Sequence, residues 1–215
     1  PVYEISKMMK KKYPDVLVFV DTVSGVVGLP LHFDELGWDV AFASVQKAFS
    51  IPPGFAIAAV SNRALKKSES VPERGYYFDF QEFAKVEAKD QTPTTPSIPH
   101  IMALHYQANR FLEEGMENVW ARHKKMADYV RNWGRSQGFE VLPEEQYASN
   151  TLTTFKNTRN IDIAAVNKAL REKHNTVFGN GYGKLKDLTF RISHMGDTQM
   201  ADLKELLGWI EEEIN

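Results

Sequence analysis

Apolar and polar residues alternate along this chain with two distinct periods. Val2, Ile5, Met8 and Met9 recur at helical spacing before Lys10, Lys11 and Lys12, which predicts an amphipathic helix at the start. Val16 to Val20 is an unbroken apolar, β-rich run ending at Asp21, and predicts a strand buried on both faces. A second such run, Val40 to Ala43, follows Trp38-Asp39, and a third, Phe55 to Val60, follows Pro52-Pro53-Gly54. Helical character resumes at Ala64, with Asn62 as the expected cap, and again over Asp79 to Ala88. This rhythm predicts a layered α/β region with a mostly parallel sheet.

The pattern then changes. Residues 92–99 are a proline-punctuated loop, and a helical period runs from His100 to Trp133, divided at Gly115 and closed by Gly134 and Gly138. Short strands are expected at Phe139 to Leu142, Thr151 to Phe155 and Leu188 to Ile192. They are separated by a helix over Ile161 to Lys173, with Asp162 near its start, and followed by a helix over Thr198 to Ile214. The expected organisation is therefore a large α/β part over 1–114 and a small α+β C-terminal domain over 115–215. Gly179 to Gly183 lacks the strand-before, helix-after context of a dinucleotide loop and reads as a turn.

Composition narrows the chemistry. Of the 215 residues 43% are hydrophobic and 25% charged, with a formal net charge of -2, so no strong field favours nucleic acid or an anionic membrane. No apolar run approaches the about 18 residues of a membrane span. The absence of cysteine removes disulfides, thiolate metal sites and a cysteine nucleophile, and fits a cytoplasmic protein. The six histidines show no metal-binding spacing, and Glu211 to Glu213 reads as a solvated helix end. The chain opens on Pro1 directly ahead of a helix, and reads as a fragment entered in mid-fold.

Two residues stand out at strand ends. Taken singly, Asp21 reads as a turn former and Lys47 as a surface lysine. Taken together, adjacent strand ends would bring a carboxylate and an amine to one rim, where open α/β sheets bind ligands. A lysine in an apolar setting can form a Schiff base, and a carboxylate can hold a pyridinium proton. Pyridoxal phosphate chemistry requires that division of labour.

The stretch VFVDTVSGVVGLPLHFDELGWDVAFASVQKAFSIPPGFAIAAVS resembles the class V, fold-type I aminotransferases. It carries Asp-x-Val-Ser, Gly-x-Pro-Leu, an Asp before a second strand, Ser-x-Gln-Lys and Pro-Pro-Gly in the family's order. QTPTTPSIPHIMAL is similar to the family loop that reaches a neighbouring subunit's cofactor, and TFRISHMG to its Arg-Ile segment near the C-terminus. The resemblance implies a pyridoxal 5'-phosphate enzyme and a homodimer. Lys47 would form the Schiff base with the cofactor and move the substrate α-proton. Asp21 would pair with the pyridine nitrogen, Val23 would pack on a ring face, and Gln46 would contact the phenolic-oxygen or phosphate side. Thr92 and Thr95 would donate to the phosphate of the partner subunit's cofactor, and Arg191 would clamp the substrate carboxylate.

The implied reaction moves an amino group between a small amino acid and a 2-oxo acid. The donor is serine or alanine with pyruvate or glyoxylate, or phosphoserine with 2-oxoglutarate. A lyase or desulfurase on the same fold is a further alternative, and a desulfurase would lack its cysteine here. Family members extend further at the N-terminus. The chain is accordingly expected to expose strand edges and apolar surface and to be a poor catalyst or none alone; a non-catalytic half-domain that serves only in assembly with another chain is a further alternative. Without the family, Thr92 and Thr95 shape a loop, Arg191 is a half-exposed strand residue, and His194 is structural.

Overall fold

The computed structural model describes residues 1–215, which form two compact units. The first comprises Pro1–Val23, Leu31–Gln46 and Ile51–Ala108; the second comprises Ser24–Pro30, Lys47–Ser50 and Asn109–Asn215. No helix is long and apolar enough to cross a membrane.

In the first unit, α1 (Val2–Lys12) has Glu4 in its first turn and Lys10, Lys11 and Lys12 in its last, the charge order that suits a helix dipole. Its apolar stripe is not the buried face. Ile5 is exposed, whereas Ser6 is buried, accepting the Trp38 indole N–H at 2.7 Å and donating to Val2 O. A buried indole N–H needs a partner, and Ser6 supplies it.

Strands β1 (Phe19–Asp21), β2 (Val40–Ser44) and β3 (Ala56–Val60) form one sheet in that order. β1 and β2 run parallel with Asp21 opposite Phe42, but β3 pairs antiparallel to β2. The sheet is thus mixed where a mostly parallel one was expected. The connection over 45–55 contains no helix and turns straight back, and short connections of that kind join antiparallel strands. The strand expected over Val16 to Val20 is shorter and shifted. It is also not buried on both faces: β1 is an edge strand, and Phe19 is 59% exposed.

A short helix, α2 (Phe33–Leu36), closes on left-handed Gly37 and was not foreseen. α3 (Asn62–Ser68) is capped by Ser61, not Asn62, because the Ser61 hydroxyl accepts the Ala64 N–H at 3.0 Å. α4 (Phe80–Glu87) is capped by Asp79, which accepts the Gln81 N–H. α5 (Ile98–Glu114) begins in the first unit and ends in the second.

In the second unit, α6 (Met116–Ser136) starts after Gly115, whose φ of 85° suits glycine. Gly134 does not close α6 as expected; it lies inside it. A Cβ there would come within 2.1 Å of the Phe155 ring, so this glycine lets the helix approach the sheet. The sheet has the order β4 (Glu140–Val141), β5 (Leu152–Lys156), β7 (Thr189–Ser193), β6 (Gly179–Asn180), all antiparallel. Gly179-Asn180, read as part of a turn, is therefore an edge strand.

α7 (Ile163–His174) is capped by Asp162, which accepts the Ala165 N–H at 3.0 Å. α8 (Met200–Ile214) opens with a reciprocal Gln199–Asp202 capping box. Phe139, Phe155 and Phe190 fill the core, with the Phe139 and Phe190 rings edge-to-face at 4.9 Å. Leu170, Leu203, Leu207 and Ile210 seal it from the helices.

Candidate active site

Asp21 ends β1 beside β2. Its Oδ1 accepts the Val23 N–H at 2.9 Å, which closes a short Asx-type turn. Thr22 ties the strand end to β2 by donating its hydroxyl and its N–H to Phe42 O. Asp21 is exposed and makes no ion pair. Asp39, at the other end of β2, is its opposite. It is buried, and it accepts the Val18 N–H, the Ser61 hydroxyl and Arg63 Nε at 2.8–2.9 Å. The bond from Arg63 holds the Asp39 carboxyl below its ordinary range. One aspartate is spent on structure; the other keeps Oδ2 available to a cation.

Beyond β2, the Ser44 hydroxyl donates to Gln46 Oε1, and Gln46 is exposed. Val23 is half-buried. Thr92 and Thr95 lie exposed on the 92–97 loop, where Thr92 donates to Thr94 O and Tyr76 donates to Pro93 O, both at 2.7 Å. All five of these predicted residues (Asp21, Val23, Gln46, Thr92 and Thr95) belong to the first unit.

Lys47 belongs to the second, and so does Arg191. Lys47 is half-buried and opens a tight segment that is firmly seated. The Ser50 N–H donates to Lys47 O at 2.9 Å, Ala48 is fully buried, and the Phe49 ring meets Phe111 at 6.5 Å. The loop leaving β7 packs against this segment. The Asp197 N–H donates to Ser50 Oγ at 3.0 Å, and a Cβ on Gly196 would lie 2.0 Å from that oxygen and 2.8 Å from Ala48 O. Gly196, with φ 63°, therefore serves both a left-handed turn and a close approach. His123 fixes Gly196 in turn. Its Nε2 accepts the Gly196 N–H at 3.1 Å while Nδ1 faces Val119 O at 2.7 Å, the pattern of a neutral imidazole donating from Nδ1.

Arg191 sits in the middle of β7, opposite Gly179 of β6. Its Nε donates to Asn180 O at 3.1 Å, and its Cζ lies 4.0 Å from the centre of the Tyr182 ring. A hydrogen bond from Arg191, together with its charge, holds the Tyr182 phenol below its usual pKa. Sequence reasoning missed Tyr182, along with Asn180 and Gly179. The one available signal was an aromatic inside a glycine-rich stretch close to a strand carrying arginine.

His194 is structural. It is fully buried, with Nε2 2.9 Å from the Thr153 hydroxyl, and burial pushes its pKa down to about 4.

The family model described as Aminotransferase class-V matches residues 1–182. The chain is 34% identical over 98% of its length to an uncharacterized aminotransferase of Methanocaldococcus jannaschii, covering 55% of that protein. It is 31% identical over 93% of its length to serine–glyoxylate aminotransferase of Arabidopsis thaliana, covering 50% of it. The chain spans about half the length of the curated relatives it matches. Among solved structures, alanine–glyoxylate aminotransferase from Nostoc sp. superposes with a TM-score of 0.92 at 26% identity, over all of this chain and 58% of that one.

Proposed function

We propose that this chain, which belongs to the class V aminotransferase family, carries the lysine and the carboxylate clamp of a transaminase that moves an amino group between a small amino acid and a 2-oxo acid. Class V aminotransferases depend on pyridoxal 5'-phosphate, which when bound supplies an electron sink for the substrate α-carbon. The observation that carries the reading lies in the second unit: the loop leaving β7, the strand that carries Arg191, seats the segment opened by Lys47.

The side chains present fit the cofactor. Lys47 Nζ would bind the aldehyde carbon and then carry the proton at the substrate α-carbon. Asp21, with an uncommitted Oδ2, would hold the proton of the ring nitrogen. Val23 would lie against the ring, Gln46 would serve the phenolic oxygen, and Thr92 and Thr95 the phosphate of a partner subunit in a homodimer. Arg191 spends Nε on Asn180 O, and its guanidinium would take a carboxylate, a task to which its planar fork is suited. Serine or alanine as donor and glyoxylate as acceptor are the substrates we favour, in line with the names of two relatives. We assign residues 1–114 to the cofactor-binding part, 115–215 to a small C-terminal domain, and the protein to the cytoplasm.

Incubating the chain with pyridoxal 5'-phosphate, reducing with borohydride and mapping the added mass by peptide sequencing tests this. The adduct is expected on Lys47 ahead of the other lysines, lost in Lys47→Ala and weakened in Asp21→Ala. Adducts spread evenly over surface lysines would sink the reading.

A further inference from the structure

We propose that Tyr182 is a positioning residue for Arg191, its ring stacking on the guanidinium and so presenting it to a monocarboxylate. The proposal rests on the reading of Arg191 as carboxylate clamp. Three contacts define the guanidinium. Asn180 O accepts from Nε at 3.1 Å, and the Tyr182 ring covers a face at 4.0 Å. Gly179 provides the remaining space, since a Cβ there would come 3.2 Å from Nη2 and 3.3 Å from Nε. A hydrogen bond from Arg191 to the Tyr182 hydroxyl accompanies the stacking.

Tyr182 itself is held in place by its backbone. Gly181 donates its N–H to Thr189 O at 2.9 Å, and the Leu185 N–H donates to Tyr182 O at 2.9 Å. A Cβ on Gly181 would come within 2.0 Å of Leu185 O and 2.5 Å of Thr189 Oγ1, so the turn is pressed onto β7 with no room to slide. The ring it presents is 77% exposed. Its face lies on the guanidinium, 4.0 Å from Arg191 Cζ. A flexible arginine loses rotamer entropy when it grips a carboxylate, and a stacked ring removes part of that loss beforehand.

The test uses the full chain with 13C,15N-labelled arginine. Arg191→Lys identifies the Arg191 signals by their loss. Rotation about the Arg191 Cζ–Nε bond is then measured in wild type, Tyr182→Phe, Tyr182→Leu and Tyr182→Gln, with and without pyruvate. The ring predicts slow rotation in wild type and Tyr182→Phe, and severalfold faster rotation in both other variants. Pyruvate dissociation constants should be alike in the first pair and about fivefold weaker in the second, with unchanged circular dichroism. Rotation unchanged in Tyr182→Leu and Tyr182→Gln overturns the proposal. So does Tyr182→Phe behaving like Tyr182→Leu, which would move the effect to the hydroxyl. Ring-dependent rotation with wild-type Arg191 signals that pyruvate leaves unmoved would count against the carboxylate clamp, not against the stacking.

Discussion

The two sheets of this protein dispose of their apolar residues in opposite ways. In the second unit, β5 and β7 bury Phe155, Phe190 and Ile192 completely, and α6, α7 and α8 close over them. In the first unit, β1 is an edge strand that leaves Phe19 largely in solvent, and Phe42 of β2 is exposed as well. Beside buried Trp38, Val40 and Ala43, the first sheet has a polar knot: buried Asp39 gathers the Val18 backbone, the Ser61 cap and Arg63. The contrast separates two sources of order. A sealed apolar core fixes the strand that carries Arg191, whereas directional hydrogen bonds fix the strand that ends at Asp21.

The largest expected effect breaks the sealed side. Phe190→Ala removes a fully buried ring that touches Phe139, Phe155 and Phe178. The lost transfer energy and the cavity together cost about 4 kcal/mol. Urea unfolding followed by near-ultraviolet circular dichroism would show it, and a cost below about 1 kcal/mol would mean the core is not the sealed body described.

Acid comes next, and again acts on the second unit. His194 is neutral and buried, with its pKa down at about 4 against 6.5 when unfolded. Between those values the unfolded chain binds the extra proton, so stability is full above about pH 6.5 and is lost as pH falls toward about 4. A gap of that size corresponds to about 3 kcal/mol. Buried His123, also shifted down by desolvation, acts in the same direction. His194→Gln should flatten the pH dependence of the urea midpoint over that window, and an unchanged slope would remove His194 as its source.

How much of this could be read in the sequence follows the same division. Local signals were legible: the Asp162 cap, the break at Gly115 and the strand carrying Arg191 depend on neighbours within a few residues. The strand-end position of Asp21 was legible for the same reason. Quantities set by distant partners were not. The role of Gly134 depends on Phe155 across the core, and the exposure of Phe19 depends on which strand takes the sheet edge. Tyr182 escaped because its significance arises only when β6 pairs with β7 and sets Gly179 opposite Arg191. An aromatic in a glycine-rich turn carries no local mark of that pairing.

A smaller effect sharpens the polar side of the comparison. Asp39→Ala leaves the Val18 N–H and Arg63 Nε without their acceptor, at a cost of about 2 kcal/mol. Hydrogen exchange should localise the loss to amides of β1 and β2 while those of β5 and β7 keep their protection. Loss spread equally over both sheets would refute the separation of the two units' stabilities.

The smallest prediction is the most discriminating, because it concerns a large aromatic. Phe19→Ser deletes the same six ring carbons as Phe190→Ala, yet it removes them from solvent rather than from a core. At 59% exposure Phe19 has little burial to lose, and the substitution should cost within about 0.5 kcal/mol in the isolated chain. Chain solubility should rise, since an exposed apolar edge strand invites pairing with other copies. If Phe19→Ser instead destabilised the chain as much as Phe190→Ala, the edge of β1 would be packed in solution. The first sheet would then be closed by an apolar contact in the same manner as the second.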